Sequence, residues 1–359
     1  MVRRVFKWSF ILGLPVVGLC VWQSWAWWSW ASAPSQLTAA STANQTAEAK
    51  PVQIMIAPGT AAQQIGRYLE AAGLIRSSKA WDLWARWLHL QDPKGGFKAG
   101  TYQLSATQPL SKIADEIWQG KVVERDFTIP EGWSLRQMGA YFEEKNFFPA
   151  KDFLAAASKI NSNQYPWLPA NLPNLEGFLY PDTYRLNSDR VTPQAVVQQM
   201  LNRFDQVALP LYKQGHNQTQ LDLYQWVTLA SIVEKEAVVP QERSRIAGVF
   251  SNRLRQGQRL ESDPTVEYGL GIRQTVDQPL TLAQVNTPSP YNTYRNPGLP
   301  PTPIASPGLA SLKAVLDPEN TTYLYFVARY DGTHVFSRSL SEHLAAQAAI
   351  RRQIKRQKG

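Results

Sequence analysis

The stretch QWVTLASIVEKEAVVP (225–240) sets two glutamates, Glu234 and Glu236, into a run of apolar residues. A helix turns by about 100° per residue, so these two carboxylates point about 200° apart and cannot both face one cleft. Glu236 stands three, four and seven positions after Val233, Ile232 and Leu229, inside the apolar stripe, whereas Glu234 lies near its edge. Burial among apolar groups disfavours the ionised form of a carboxyl group and moves its pKa toward neutral, which is what a general acid working near pH 7 needs. Glu236 is therefore the candidate acid. The alternative is a structural carboxylate paired with a buried arginine such as Arg243 or Arg253, and this helix by itself leaves both open.

The elements that must hold this helix can be read from patterning. Helices are expected around 192–208, 221–239 and 241–256, followed by long Pro-rich loops. YLYFVAR (323–329) reads as a strand, DGTHVFS as a hairpin with Asp331-Gly332 at the turn, and the chain ends in a basic helix from Ser341. Further upstream a weak repeat appears at an offset of 73 residues: IAPGTAAQQIGRYLEAAGLI (56–75) against TIPEGWSLRQMGAYFEEKNFF (128–148). Gly59, Gly66, Tyr68 and Glu70 fall on Gly132, Gly139, Tyr141 and Glu143. Each copy predicts a short strand, a tight turn, an amphipathic helix and a second helix. Both copies loosely resemble the LysM module, which binds peptidoglycan sugar. Two βα units that merely bury their helices on a sheet would give the same pattern.

The N-terminus carries a different signal. Arg3, Arg4 and Lys7 precede an uncharged stretch from Trp8, most apolar from Phe10 to Trp28, which is long enough for a membrane-spanning helix at about 1.5 Å per residue. Trp25, Trp27, Trp28 and Trp30 suit a membrane–water interface, and the basic residues before the run predict a cytoplasmic N-terminus with the remainder outside. A cleaved signal peptide ending near Ala31-Ser32-Ala33 is the competing reading. The expected organisation is thus a cytoplasmic segment (1–7), a transmembrane helix (8–30), a flexible tether (31–51), a LysM-like α+β module (52–160) and a catalytic domain (161–359), mainly helical with a small β element. The fold class is α+β.

Composition excludes several alternatives. At 359 residues, 18% charged and 44% apolar, the chain can bury two or three cores. Its formal charge of +9 suits an anionic partner, yet much of the surplus sits at the ends, and neither zinc-finger spacing nor a basic recognition helix points to nucleic acid. The single cysteine, Cys20, lies in the apolar run, so the folded part has neither a disulfide nor a cysteine metal site. Four scattered histidines, His334 and His343 among them, do not suggest a metal, and no cofactor is expected.

Seven segments then occur in order: LEGFLYPDTY, ASIVEKEA, VFSNRL, LESDPTVEYG, SPYNTYRNPGLPPTPIASPG, YLYFVA and DGTHVFS. Together, over residues 52 to 345, they resemble the endolytic murein transglycosylases of the YceG-like family. The resemblance implies an inner-membrane lyase that cuts the bond between N-acetylmuramic acid and N-acetylglucosamine within nascent glycan strands. It leaves a 1,6-anhydromuramyl end and so terminates strand elongation. The family's catalytic glutamate falls on Glu236. Ala237 stands where Thr is common, Thr302 where Gly is usual and Glu261 where Gln is usual. Glu261 is either a second carboxylate near the cleft or a solvated loop residue. Glu176, Tyr180, Asp263, Thr265, Tyr291, Asn292 and Tyr294 are expected around the sugar, since rings stack on aromatic faces and hydroxyls bond to Asn, Asp and Thr. For Asp263, ahead of Pro264, a turn or helix-start role is an equal expectation. Expected partners are peptidoglycan strands, the membrane and cell-wall synthases. The alternative to an enzyme is a non-catalytic, membrane-anchored peptidoglycan-binding scaffold of the synthesis machinery.

Overall fold

A computed structural model describes residues 5–36, 50–159, 163–187, 191–275, 278–329 and 331–358, with the backbone alone for 5–18, 218 and 354–358. The chain divides into two compact units, one of residues 1–125 with 185–191, the other of 126–184 with 192–359. The expected limit at residue 160 falls inside the second unit. The reason is visible in the second copy of the repeat, which packs with the helical part of the chain: the amide of Gly132 donates to Ser306, and that of Leu175 to Ala157.

In the first unit, helix α1 (Val5–Ser32) precedes strand β1 (Val52–Ile56), helices α2 (Ala62–Ala71) and α3 (Ser78–Gln91), strand β2 (Gly100–Leu104) and helix α4 (Leu110–Gln119). Strands β1 and β2 are antiparallel, with Val52 opposite Leu104 and Ile56 opposite Gly100. Ile65 and Leu69 of α2, Trp81 of α3 and Ile113 and Ile117 of α4 are buried over that ribbon. The close approach of α2 and α3 requires Gly66, where an added Cβ would come within 2.5 Å of the Trp81 ring. Burial of these apolar side chains, at about 25 cal/mol per Å², is what holds so small a unit together. The start of the expected tether belongs to this core, since Ala31 is buried, Trp28 stacks on Trp84, and the amide of Gln36 donates to Ala106. Residues 37–49 of that tether lie outside the described residues. So do the side chains of 1–18, which carry nearly half of the expected span; among the described residues no helix is long and apolar enough to cross a membrane.

Strand β3 (Glu124–Thr128), helices α5 (Leu135–Glu144) and α6 (Ala150–Ala157) and strand β4 (Thr183–Asn187) follow, β3 pairing with β4. The order strand, turn, helix, helix thus recurs as the repeat predicts. Gly59 and Gly132 take φ of +81° and +76° at equivalent turns, a backbone state that strains any side chain.

The second unit is built round helix α8 (Leu223–Glu236), flanked by α7 (Pro193–Gly215), α9 (Arg243–Arg255), α10 (Asp263–Leu270), α11 (Leu282–Val285) and α12 (Leu309–Leu316). Every residue of α8 from Trp226 to Val233 is buried, and the Trp226 indole donates to the carbonyl of Leu312 on α12. Its start is fixed by a capping box, with Asp222 accepting from the Gln225 amide at 2.8 Å and Gln225 returning the bond at 3.1 Å. It stops at Glu236 because Val238, Val239 and Pro240 favour extended backbone, and Ala237 is already extended. Strands β5 (Tyr325–Ala328) and β6 (His334–Ser337) form the expected hairpin, and helix α13 (Leu340–Lys358) closes the chain. The architecture is α+β, with small two-stranded sheets among helices.

The eight-residue α10 interrupts what patterning presents as a Pro-rich loop. Pro264 occupies its first turn, where a missing N–H costs nothing, so the residue that suggests a loop instead begins a helix.

Candidate active site

Glu236 ends α8 with its carboxyl group turned toward the turn that opens α10. The Ser262 hydroxyl donates to its Oε1 at 2.6 Å. Burial, opposed by that bond and aided by the negative charges of Asp263 and Glu267, raises its pKa to about 7. The carbonyl end of α8 also disfavours an anion. At neutral pH the group therefore stands near half-protonation, where it can both donate and accept a proton.

The arginines that offered the structural alternative are engaged elsewhere. Arg243 lies 3.9 Å from Glu234, whose other oxygen accepts from the Gly308 amide at 3.1 Å. Glu234 thus anchors the loop before α12, and the two carboxylates of the pair have separate tasks as the helical geometry requires. Arg253 is bound to Glu261 at 2.9 Å, and Glu261 stays exposed in its loop, which agrees with the solvated-loop expectation. The second expectation is corrected, since the carboxylates whose charges act on Glu236 are Asp263 and Glu267.

Hydroxyl groups lock the surroundings of the acid. The amide of Ser262 donates to the Thr293 hydroxyl at 3.0 Å, that hydroxyl lies 2.8 Å from Thr265 Oγ1, and Thr265 Oγ1 donates to the carbonyl of Ser262 at 2.6 Å. All three residues are buried. This mesh ties the 262–265 turn to the 291–294 loop and fixes the hydroxyl that faces Glu236. Asp263 accepts from the Tyr294 hydroxyl at 2.6 Å and from Gln274 at 3.3 Å. It is also the first residue of α10, where a negative charge suits the helix dipole, so the helix-start expectation for it is met.

The expected sugar-facing residues divide accordingly. Asp263 and Tyr294 stand in the Glu236 cluster, and burial followed by the charges of Asp263 and Glu236 raises the Tyr294 pKa. Tyr291 is partly buried, 4.9 Å from the Tyr268 ring, with its hydroxyl 3.1 Å from Thr302. Thr265 and Asn292 are buried loop fasteners; Asn292 donates to the carbonyls of Val285 and Thr287 at 2.8 Å each. Tyr180 is buried beside α7, where its amide donates to Met200. Glu176 is buried too, accepting from the Leu135 amide at 3.0 Å and from Tyr268 at 2.8 Å. It satisfies the N-terminus of α5 and joins it to α10, and has no surface left for a sugar. Ser262 and Glu267 were not singled out from the sequence. The available signal was the ESDP run itself and the spacing of Asp263 and Glu267, four residues apart, which puts both on one helix face.

Two expected results follow from these geometries. Because the Ser262 hydroxyl stabilises the ionised form of Glu236, Ser262→Ala is expected to move the alkaline limb of the pH–rate profile upward by about one pH unit. Unchanged limbs would remove this bond from the account. Burial also raises the Glu176 pKa to about 7. A carboxyl group raised in the folded state contributes stability that is complete below its unfolded value and lost as pH rises through the folded one. Glu176→Gln keeps both hydrogen bonds without the charge. It is expected to raise the melting temperature by several degrees at pH 8, about 3 kcal/mol at most, with the gain vanishing toward pH 4.5.

Residues 54–349 match the YceG-like family. The chain belongs to the YceG-like family. Among its relatives, the endolytic murein transglycosylase of Bacillus subtilis is 31% identical over 312 residues, covering 82% of this chain and 84% of that protein. The endolytic murein transglycosylase of Streptococcus pneumoniae R6 is 31% identical over 311 residues, 78% of this chain and 54% of that longer protein. A crystal structure of a yceG-like protein from Listeria monocytogenes superposes with a TM-score of 0.57 at 30% identity, covering 83% of this chain and 99% of the other. The YceG-like assignment spans the repeat and the Glu236 cluster together.

Proposed function

We propose that the chain is an endolytic murein transglycosylase, a lyase that cuts peptidoglycan strands without consuming water. The observation that carries this reading is the carboxyl group of Glu236, poised near pH 7 at the end of a buried helix. Protonated, it gives its proton to the glycosidic oxygen between N-acetylmuramic acid and N-acetylglucosamine as that bond to C1 breaks. The resulting carboxylate takes the proton of the sugar's own 6-hydroxyl as its oxygen closes on C1, giving a 1,6-anhydromuramyl end and restoring the acid. One carboxyl group serves both steps, whereas hydrolytic glycosidases place two about the bond.

Residues 8–30 supply a single transmembrane anchor in the plasma membrane in this reading, with the N-terminus inside and the catalytic part outside. Support comes from the apolar run behind Arg3, Arg4 and Lys7 and from Trp22 and Trp25, each about two-thirds exposed. The strand–helix–helix–strand order of the first unit supports a LysM-like role in binding glycan. Anchoring there sets the enzyme beside cell-wall synthases, where nascent strands emerge. The reading is tested by mass spectrometry of the products that the purified protein forms from uncrosslinked glycan strands. Anhydromuramyl ends are expected; reducing ends would make it a hydrolase, and no products would return the wall-binding scaffold.

A further inference from the structure

Beside the Glu236 cluster a recess of about 250 Å³ opens in the second unit, between the start of α5 and α10. Three cations border it, Arg136, Lys235 and Arg273, against one carboxylate, Glu267, which also acts on Glu236 by its charge. The recess and the acid therefore share an electrostatic neighbourhood, and Lys235 is the residue next to the acid in sequence. Arg136 and Arg273 are exposed and, among the described residues, neither guanidinium has an ion-pair or hydrogen-bond partner. Lys235 makes a single long bond, 3.4 Å to the carbonyl of Gly132. Arg136 lies over the end of α10, where Gly271 gives it room: an added Cβ at 271 would come within 2.7 Å of Nη1. Guanidinium groups with unused forks suit planar carboxylates.

We propose that this recess receives a carboxylate of the stem peptide carried by the muramyl residue at the cleavage site, so that the enzyme selects peptide-bearing over denuded glycan. This rests on the transglycosylase reading. A muramyl sugar bound with its glycosidic bond at Glu236 carries its lactyl-linked peptide away from the ring, and the cationic recess is the neighbouring surface that matches the peptide's charge. While the peptide is attached the lactyl carboxyl group is an amide, so the glycan backbone itself is neutral and makes no use of three cations; amidase-stripped strands regain a lactyl carboxylate on the ring, and the amidated strands are the charge-free comparison.

The test compares kcat/KM on three substrates made from one preparation: strands with free stem-peptide carboxylates, strands with those carboxylates amidated, and strands stripped of peptide by an amidase. Wild type is expected to favour the first by roughly ten- to a hundredfold, chiefly through KM. Arg136→Gln with Arg273→Gln is expected to lose that preference while keeping its rate on stripped strands, and Lys at both positions to regain part of it. Equal wild-type rates on all three substrates overturn the inference and leave the lyase standing. An equal loss on stripped strands also overturns it, since the arginines would then serve the glycan or the fold. Cleavage of none of the three defeats the lyase reading itself, and the inference with it.

Discussion

Glu236→Gln is expected to lower kcat/KM on glycan strands by about 10²- to 10⁴-fold, with little change in KM. The amide preserves size and the hydrogen bond from Ser262, so binding and packing survive, but it has no proton to give to the glycosidic oxygen and cannot take one from the 6-hydroxyl. The wild-type rate is expected to fall above about pH 7, as the half-buried carboxyl group ionises before substrate arrives. Loss of the same charge is expected to make Glu236→Gln the more heat-resistant protein at pH 8, the opposite direction to its activity. A variant that retained more than a tenth of the rate would transfer the acid to another group, and Asp263 or Glu267 would be examined next.

Arg253→Met is expected to cost about 3 kcal/mol of stability and to depress turnover together. The Arg253 guanidinium is buried beneath the site, donating to the carbonyls of Leu324, Arg259 and Leu260 at 2.6, 2.8 and 3.1 Å and to Glu261, with the Tyr325 ring 4.8 Å away. Methionine fills much of the same volume yet leaves buried carbonyl oxygens without donors. The segment it releases, 259–261, leads directly into Ser262, and Glu261 holds a left-handed φ of +53° that needs such support. Denaturant unfolding and steady-state kinetics check the two effects; a stable variant with a normal rate would show that the segment holds its shape unaided.

How much of this was legible in the sequence depends on the range of the interaction involved. The orientation of Glu236 follows from the period of one helix, and the doubled strand–helix–helix unit follows from spacing, so both could be read locally. Glu176 shows the opposite case. Its partners, Leu135 and Tyr268, are 41 and 92 residues away, and nothing near LEGFLYPDTY reveals that the carboxylate turns inward to a helix end. Thr265 and Asn292 look like sugar ligands for the same reason, because a polar residue in a polar loop reads alike whether it faces a ligand or fastens the loop. Helix α10 escaped because Pro264 and its eight-residue length hide the apolar period, and with it went Glu267. The limit of the compact units escaped because the repeat suggests that its two copies belong together, whereas the second packs with the helices that follow.

The three interlinked hydroxyl-bearing residues behind the acid have a consequence for how this enzyme fails. The backbone N–H and C=O of Ser262 and the hydroxyls of Thr265 and Thr293 are satisfied by one another and buried, so no member can be released without exposing the others. Amide hydrogens at 262 and 293 should then exchange only in openings as rare as those of the α8 core. Thermal inactivation becomes a cooperative event, in which the catalytic machinery and the surrounding domain are lost in one transition, with no inactive yet folded species accumulating on the way.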